Sequence, residues 1–575
     1  MFAFTSEIER WHRGTRVERT TPAAGRVCGA GWRNYVGCIL LACTLVPFAA
    51  LGDDLFQDDG WDVRWDNTFR YTAAFRLVHY QESLVADPNS DDGDRNFAPG
   101  LISDRLDWLS EFDVSKDGYG IDVSGTAWYD TVYHNTNSND SPATFNPYTV
   151  PHNEFTRSTE QLMGQDADLL NAFAYGSFDA DDMPVSFRVG RHTLLWGESL
   201  FFANNGIAAG QAPIDAIKAA SEPEAEAKEV YLPVDQASLT VEPNSDLSFS
   251  VYDQFEWRRT RLPAAGSYFS DADYLDAGGE RIIVGSYQYL YRTPDTRASP
   301  WGQYGAAMHV LLDDVDYGFY ALRFNAKEPE IFTSSAYAPP GAGSVGDYWL
   351  VFPDGIQAYG ASFSAPLGDD TLAGEVSVRR NMPLISQSLF TVPGGGGGSG
   401  YGVSSYAPAL RAYGGWPPAP PPPSYNVSSY AVGDTLQAQL STVSVLSPGP
   451  LWQGADLSAE IAANDRLNVT SGLAELAPGR DVFAAAFRAV IEPHYYEVLP
   501  ALDLSLPAGL GYNLVGNSSI DSSMNNGAGD FELGVSATYQ TVWQGTITYT
   551  HYFGPPDRQP FADRDFISLG VERTF

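Results

Sequence analysis

Residues 190–207, GRHTLLWGESLFFANNGI, concentrate side chains that could do chemistry. His192 could act as a base, Glu198 as an acid and Ser199 as a nucleophile. The run GESLF resembles a nucleophile elbow until its last position, where the tight turn requires glycine. The histidines lie in no HExxH pattern, and all three cysteines precede residue 52, so metal-ligand motifs are lacking. The sequence therefore predicts no enzyme, with no catalytic residue, no metal site and no cofactor.

The N-terminus has the features of a secretory signal peptide. Six arginines precede the apolar run NYVGCILLACTLVPFAALG, which ends in small residues. That run is short of the ~20 apolar residues that a membrane helix needs. Residues 1–52 are therefore predicted to be a signal peptide that is removed, together with every cysteine of the chain.

Charge excludes one class of partner. Removing residues 1–52 takes away six of the 34 basic and three of the 71 acidic residues. The remaining chain has 28 basic and 68 acidic residues and is strongly negative. Nucleic-acid binding needs basic patches, so no nucleic-acid partner is expected. The content of 44% hydrophobic and 13% aromatic residues indicates a folded chain and not an acidic disordered one.

The segments that flank residues 190–207 alternate between apolar and polar residues with a period of two. In WDVRWDNTFRYTAAFRLV, residues 61–78, apolar residues such as Trp61, Trp65 and Phe69 alternate with charged residues such as Arg64 and Arg70. This pattern indicates a strand with one apolar and one polar face. The strand is long enough for a tilted transmembrane strand of ~9–11 residues.

The alternation recurs to the end of the chain. Residues 105–133, 170–189 and 237–257 read as hairpins with turns rich in Asp, Gly, Ser and Asn. The closing stretch FISLGVERTF ends in Phe575 and resembles the sorting signal read by the barrel assembly machinery. In lipid, only a closed barrel leaves no strand edge unpaired. A soluble sandwich or propeller is the alternative.

We therefore predict an all-β fold, a transmembrane antiparallel β-barrel of about 14–18 strands spanning residues 53–575. Its expected location is the outer membrane, where its surroundings are the lipid bilayer and lipopolysaccharide.

Two segments interrupt the alternation. Residues 392–424 are glycine-rich and then proline-rich, which is unfavourable for strand pairing and fits a long extracellular loop. Residues 208–233 are rich in Ala, Glu and Lys, which suggests a short helix. In a barrel, such a helix belongs in the lumen or over its mouth.

Several stretches carry a family resemblance. GRHTLLWGESLFFANNGI is followed by APID at 212–215, EAEAKEVYLPV at 224–234 and FEWRRTRLPAAGSYFSDAD at 255–273. With YGASFSAPLGDDTLAGEVSVRRNMPL at 359–384, they resemble the Gram-negative outer-membrane family catalogued as domain of unknown function 1302. The resemblance extends from about Asp53 to Phe575.

The resemblance has implications for function. Members of this family are often encoded beside a second exported family and an inner-membrane transporter of the resistance-nodulation-division type. That context implies passage of hydrophobic molecules across the envelope, with an inner-membrane transporter complex as a partner.

Residues 200–233 are predicted to fold inward as a lumenal constriction segment. Pairs between its charges and arginines of the wall would hold it, and the alternative is a solvated pore lining without a dedicated task. The predicted pore and constriction residues are Arg64, Arg70, Arg76, Arg188, His192, Trp196, Glu198, Asp215, Lys228 and Glu229.

Three acidic clusters, Asp87–Asp94, Asp179–Asp182 and Asp313–Asp316, offer oxygen ligands of the kind that calcium prefers. None has the spacing of a dedicated calcium loop, so solvated turns are the simpler interpretation.

The predicted function is a channel or transport protein for hydrophobic or amphipathic small molecules. Aromatic residues near the predicted constriction support it: Trp196, Phe201, Phe202, Phe255 and Trp257. One alternative is a non-transporting scaffold of the envelope. Another is a general porin, which the acidic excess would make cation-preferring.

Overall fold

The computed structural model describes residues 56–58, 60–221, 230–335, 343–386, 412–414 and 430–575. The predicted signal peptide, Lys228 and Glu229, and residues 392–424 apart from 412–414 lie outside the described residues. Among the described residues, no helix is long and apolar enough to cross a bilayer.

The described chain is built almost entirely of strands. The first twelve are β1 (Phe56–Asp58), β2 (Trp61–Arg76), β3 (Gly100–Lys116), β4 (Tyr119–Asp130), β5 (Gln165–Ala180), β6 (Met183–His192), β7 (Val234–Asn244), β8 (Leu247–Gln254), β9 (Arg281–Gly285), β10 (Gln288–Arg292), β11 (Gln303–Leu312) and β12 (Val315–Phe324). The others are β13 (Glu330–Ser335), β14 (Ser344–Val351), β15 (Ile356–Leu367), β16 (Asp370–Pro383), β17 (Ala412–Gly414), β18 (Val432–Leu446), β19 (Gly454–Arg466), β20 (Phe483–Leu499), β21 (Leu502–Ser505), β22 (Ala508–Val515), β23 (Gly529–Tyr539), β24 (Trp543–Phe553) and β25 (Phe566–Thr574).

Helices are few and short. The α-helices are α1 (Asp92–Arg95), α2 (Arg157–Thr159) and α3 (Ala216–Ser221). Single turns of 3-10 helix cover Val132–His134, Ile207–Gly210 and Leu473–Glu475, and a π turn covers Glu160–Gly164.

The long strands close into one barrel of 18 antiparallel strands. β1 pairs only with the start of β2 and is not counted as a separate wall strand. β21 and β22 are two parts of one wall strand, since both pair with β23. Closure is made between β2 and β25, with Thr68 opposite Thr574 and Arg76 opposite Phe566. The prediction of a closed antiparallel barrel is confirmed, at the upper end of the expected strand number.

Alternation places apolar side chains on the outside of the wall. Trp61, Trp65 and Phe69 are 44%, 44% and 43% exposed, whereas Arg70 is 4% exposed. Phe69 stacks on Trp108 of β3 across the outer surface, with ring centroids 6.2 Å apart. A closed barrel with an apolar exterior is stable in a bilayer because every backbone group is paired. The protein is an outer-membrane barrel.

The two ends of the barrel differ in connection length. One end carries tight turns, several of which place aspartates at positive φ, as at Asp181 (49°), Asp182 (66°), Asp313 (49°) and Asp314 (65°). Aspartate tolerates this conformation, which two-residue hairpins require. Two of the three acidic clusters are therefore exposed hairpin turns. The opposite end carries the long loops, such as 77–99, 193–233 and 255–302.

A second, five-stranded sheet is formed within the long loops, in the order β17-β13-β14-β10-β9. Its pairings β10–β14 and β13–β17 are parallel, so the chain is not a pure antiparallel meander. The sheet packs around a core with no solvent exposure at Tyr274, Ile282 and Tyr348. One of its strands, β17, comes from the segment for which the sequence predicted no strand pairing.

A buried ion cluster fastens three long loops to the end of β2. Asp94 accepts hydrogen bonds from Arg76 Nη2 at 3.2 Å and from Arg564 Nε at 2.9 Å. Arg564 Nη1 also donates to Ser270 O at 2.6 Å, and Arg76 Nη2 to Asp563 O at 2.9 Å. The cluster therefore ties loops 77–99, 255–302 and 554–565 together.

Candidate functional site in the barrel lumen

Residues 193–221, which follow β6, leave the wall and contact inward-facing side chains of other strands. We call them the lumen segment. It contains the 3-10 turn Ile207–Gly210 and α3, the short helix that its composition predicts. Its backbone contacts side chains of β16 and β19, which lie in a different part of the wall from β6.

Two carboxylates of the wall hold the backbone of the lumen segment. Glu460 on β19 accepts three consecutive N–H groups, from Leu200 (3.2 Å), Phe201 (2.5 Å) and Phe202 (3.0 Å). Glu375 on β16 accepts two more, from Glu198 N at 2.8 Å and Ile207 N at 2.6 Å. Loops rarely bury backbone groups unless a partner satisfies them, so these carboxylates allow the segment to lie in the lumen.

An arginine on β16 binds the backbone carbonyl oxygens of the segment. Arg379 donates to the carbonyl oxygens of Asn204, Asn205 and Gly206 at 2.9, 2.8 and 2.7 Å. Arg379 lies four residues after Glu375, so both side chains point to the same face of β16. One strand therefore binds both the donors and the acceptors of the segment.

Glycine permits the close approach at Glu375. Gly197 has φ +93°, and a Cβ there would lie 2.1 Å from Glu375 Oε2. On the wall, a Cβ at Gly360 would lie 2.6 Å from Ile207 Cδ1. Both positions need glycine because the backbone and its partner are in contact.

Apolar packing adds to these hydrogen bonds. The ring of Trp196 meets Tyr252 edge to face at 5.0 Å and lies 6.1 Å from the ring of Tyr320. Trp196 and Ile207 share one buried cluster with wall residues of β8, β11, β12 and β15. The segment is therefore packed against this side of the wall through a buried apolar and aromatic cluster.

Further contacts fix the end of the segment. Lys327 Nζ donates to Gly210 O at 2.9 Å, and Gln254 Nε2 donates to Gln211 O at 2.7 Å. Asp215 pairs with Arg261 at 2.5 Å. Asp215, the residue before α3, thus makes its ion pair with the loop 255–302.

The arginines named from the sequence have other partners. Arg70 donates to Glu572 at 2.7 Å across the closure of the barrel, and Arg76 belongs to the loop ion cluster. Arg64 lies 3.7 Å from Asp62, and the guanidinium of Arg188 lies 5.7 Å from the centre of the Phe173 ring. In the described part of the segment, the carbonyl oxygens of residues 204–206 are bound by Arg379, which the sequence did not single out.

The other named residues divide into two groups. Trp196, Glu198 and Asp215 all belong to the lumen segment and lie at its contacts with the wall and loop. His192 is buried at the end of β6, where its ring nitrogens contact Gly190 O at 3.0 Å and Ser238 Oγ at 3.1 Å. Its nitrogens are therefore engaged without Glu198, the acid that follows it in sequence.

Sequence reasoning missed Glu375, Arg379 and Glu460. The first two lie in the stretch EVSVRR, where the polar residues Glu375, Ser377 and Arg379 alternate with valines in the middle of a long strand. Charges on the inward face of a barrel strand were available as a signal, but alternation alone does not reveal which segment they bind.

Two cavities of contrasting lining flank the residues 258–262 and 275–277. The larger, of about 790 Å³, is lined by six arginines: Arg191, Arg258, Arg259, Arg261, Arg292 and Arg297. The smaller, of about 290 Å³, is lined mainly by apolar side chains, including Leu262, Leu275, Phe324, Ile356, Met382 and Ile385. Neighbouring residues face opposite cavities: Arg261 and Asp276 line the larger, Leu262 and Leu275 the smaller.

Docking of the lumen segment is expected to depend on pH through Lys327. Burial, with the charge of Arg379 adding to it, lowers the pKa of Lys327 to about 7. A hydrated lysine has a pKa of about 10.4, so between about 7 and 10.4 the undocked state binds a proton that the docked state does not. Docking should therefore strengthen as pH rises through this window and weaken as it falls.

The measurement is limited proteolysis of the lumen segment between pH 7 and 10, with Lys327→Met as the matched control. The ratio of variant to wild-type cleavage rates should increase with pH, because only the wild type gains protection. A ratio that stays constant contradicts the assignment.

Comparison with known proteins identifies the family of this chain. The family model described as "Protein of unknown function (DUF1302)" matches residues 33–575. The chain therefore belongs to this family, as the sequence motifs indicated. No curated protein matches the chain.

Several solved structures are similar to this chain at low identity. OccAB1 of Acinetobacter baumannii shares 10% identity over 92% of this chain and 99% of its own, with a TM-score of 0.41. OccK2 (OpdF) of Pseudomonas aeruginosa, solved in complex with glucuronate, shares 8% identity over 90% of this chain and 99% of its own, with a TM-score of 0.40. A BenF-like porin from Pseudomonas fluorescens Pf-5 shares 8% over 89% and 98%, with a TM-score of 0.39. Similarity at this level does not identify a substrate.

Proposed function

We propose that this protein is an outer-membrane channel for hydrophobic or amphipathic small molecules, in which the lumen segment forms the constriction. The observation that carries the proposal is the lumen segment itself, held inside the barrel by Glu375, Arg379 and Glu460. A segment held at its backbone by three charged side chains narrows the passage and can be released as a unit.

The chemistry of the two cavities supports this substrate class. An apolar cavity beside the segment can take up hydrocarbon surface, since burying it gains about 25 cal/mol per Å². The arginine-lined cavity presents guanidinium groups to polar ends, although several of them are paired, as Arg191 is with Glu256 at 2.8 Å. Together they suit a molecule with one apolar part and one polar part.

The proposal extends to partners of the barrel. The C-terminal strand β25 ends in the residues that suggested recognition by the barrel assembly machinery, and the long loops would lie among lipopolysaccharide. The family context suggests an inner-membrane transporter complex as a further partner. Crosslinking and pull-down from outer membranes test this part, because a scaffold retains partners in fixed ratio and a lone channel does not.

Transport is tested in cells that lack the gene. Uptake and efflux of fatty acids, sterols and aromatic hydrocarbons should fall and return when the wild-type gene is supplied. Unchanged fluxes of all three would overturn the proposal. Large cation-selective steps from the purified protein in planar bilayers would instead support a general porin.

A further inference from the structure

Three buried aspartates from two long loops meet at the loop end of the barrel. Asp91 and Asp92 lie at the start of α1, and Asp273 comes from the loop 255–302. Each is at most 1% exposed, and one carboxylate oxygen from each lies within 4.8 Å of the others. Oxygens that share a calcium ion at its usual distance of about 2.4 Å are at most about 4.8 Å apart.

Negative charge outweighs positive charge at this place. Asp91 Oδ2 accepts from Arg95 Nε at 2.5 Å. Within the described parts of the chain, no lysine or arginine nitrogen lies within 4.0 Å of the carboxylate of Asp92 or Asp273. Arg281 and Arg564 act on Asp92 and Asp273 from beyond that distance. Burying three carboxylates with one direct guanidinium contact is costly unless a proton or another cation compensates.

Two of the carboxylate oxygens lack a hydrogen-bond donor. Asp91 Oδ1 and Asp273 Oδ1 are buried and accept no hydrogen bond from any described residue. The remaining oxygens are engaged, since Asp273 Oδ2 accepts from Asp92 N at 3.1 Å and Asp92 Oδ2 from Asn146 N at 3.0 Å. A buried oxygen without a donor costs about 1–3 kcal/mol, which a hard cation would recover.

Asn146 supplies a neutral oxygen nearby. It is fully buried next to Asp92, and its Oδ1 also has no hydrogen-bond partner among the described residues. Burial, together with neighbouring carboxylates, raises the pKa of Asp92 and Asp273 well above the usual value. That direction is expected where carboxylates outnumber cations.

We propose that Asp91, Asp92 and Asp273 bind a calcium ion that joins loops 77–99 and 255–302. Asp273 lies 181 residues after Asp92, which explains why Asp87–Asp94 alone lacks the spacing of a calcium loop. The long-loop end faces the cell exterior, where sites with Kd values of about 0.1–1 mM are useful. The ion would complement the cluster of Asp94, Arg76 and Arg564 as a second fastening of the same loops.

The direct test is equilibrium dialysis of the full mature chain in detergent with radioactive calcium, in about 0.1 M KCl to screen diffuse attraction. Wild type should bind one calcium ion with a Kd of about 0.1–1 mM. Asp91→Asn and Asp273→Asn should each weaken binding at least about tenfold, because each removes a charged ligand. The control is Asp182→Asn, in an exposed acidic turn at the other end of the barrel, which should bind as wild type does.

A second measurement needs no variant. Calcium should slow proteolytic cleavage in loops 77–99 and 255–302 of the wild type relative to EDTA, and magnesium should do so less. Equal calcium binding by wild type and a folded Asp273→Asn, or equal cleavage with calcium and EDTA, would overturn the proposal.

Discussion

Replacing the two carboxylates that hold the lumen segment, in the variant Glu375→Ala/Glu460→Ala, should open the channel. The wild-type carboxylates accept five backbone N–H groups of the lumen segment. A hydrogen bond to a charged group contributes about 1.5–3 kcal/mol. If the loss of all five bonds cost only about 3 kcal/mol in total, the equilibrium between docked and undocked segment would still shift more than about 100-fold toward the undocked state. Single-channel recording in planar bilayers should show larger conductance and longer open times.

The matched control is Glu111→Ala on β3. Counting β2 as the first strand of the wall, β3 is the second and β16 is the eleventh, so Glu111 lies on a different part of the wall from Glu375. This variant also removes a carboxylate from the inner face of the wall and should leave conductance close to that of wild type. The milder variant Glu375→Gln/Glu460→Gln keeps one amide oxygen at each position and should fall between the two. If both double variants conduct as the wild type does, these carboxylates do not hold the constriction.

The second large effect is expected at Asp94. Replacing it with alanine would leave Arg76 and Arg564, which are 2% and 1% exposed, without their shared carboxylate. Removing one partner from a buried ion pair costs about 3–5 kcal/mol because the remaining charge stays desolvated. The loops 77–99, 255–302 and 554–565 should loosen together, which proteolysis and thermal denaturation in detergent would detect.

Asp557→Ala provides the comparison for Asp94→Ala. Asp557 lies in the same loop as Arg564, but its side chain is 73% exposed, and exposed ion pairs contribute about 0–1 kcal/mol. A small effect at both positions would show that the cluster does not fasten the loops.

The barrel could be predicted from sequence because its signal is local. In β2, the side chains of Trp61, Trp65 and Phe69 meet lipid while those of Arg64 and Arg70 do not, and a period of two records this directly. The closing strand β25 has the same property. Each strand carries its own evidence, so the class follows without knowledge of any long-range contact.

The site could be predicted only in part. Alternation shows that Arg70 and Arg379 both face inward, but not which part of the circumference each occupies, so it could not single out Arg379 as the arginine that binds residues 204–206. The small sheet was missed because its strands are short, with five residues in β9 and three in β17, and because it has a core of its own. Strands of that length leave little alternation to read.

The carboxylates that receive the lumen segment come 177 and 260 residues after the groups they bind. The N-terminal strands alone therefore cannot hold residues 198–207, which need side chains from the eleventh and thirteenth strands of the wall. A chain that ended before β19 would lack the carboxylate that accepts the N–H groups of Leu200, Phe201 and Phe202.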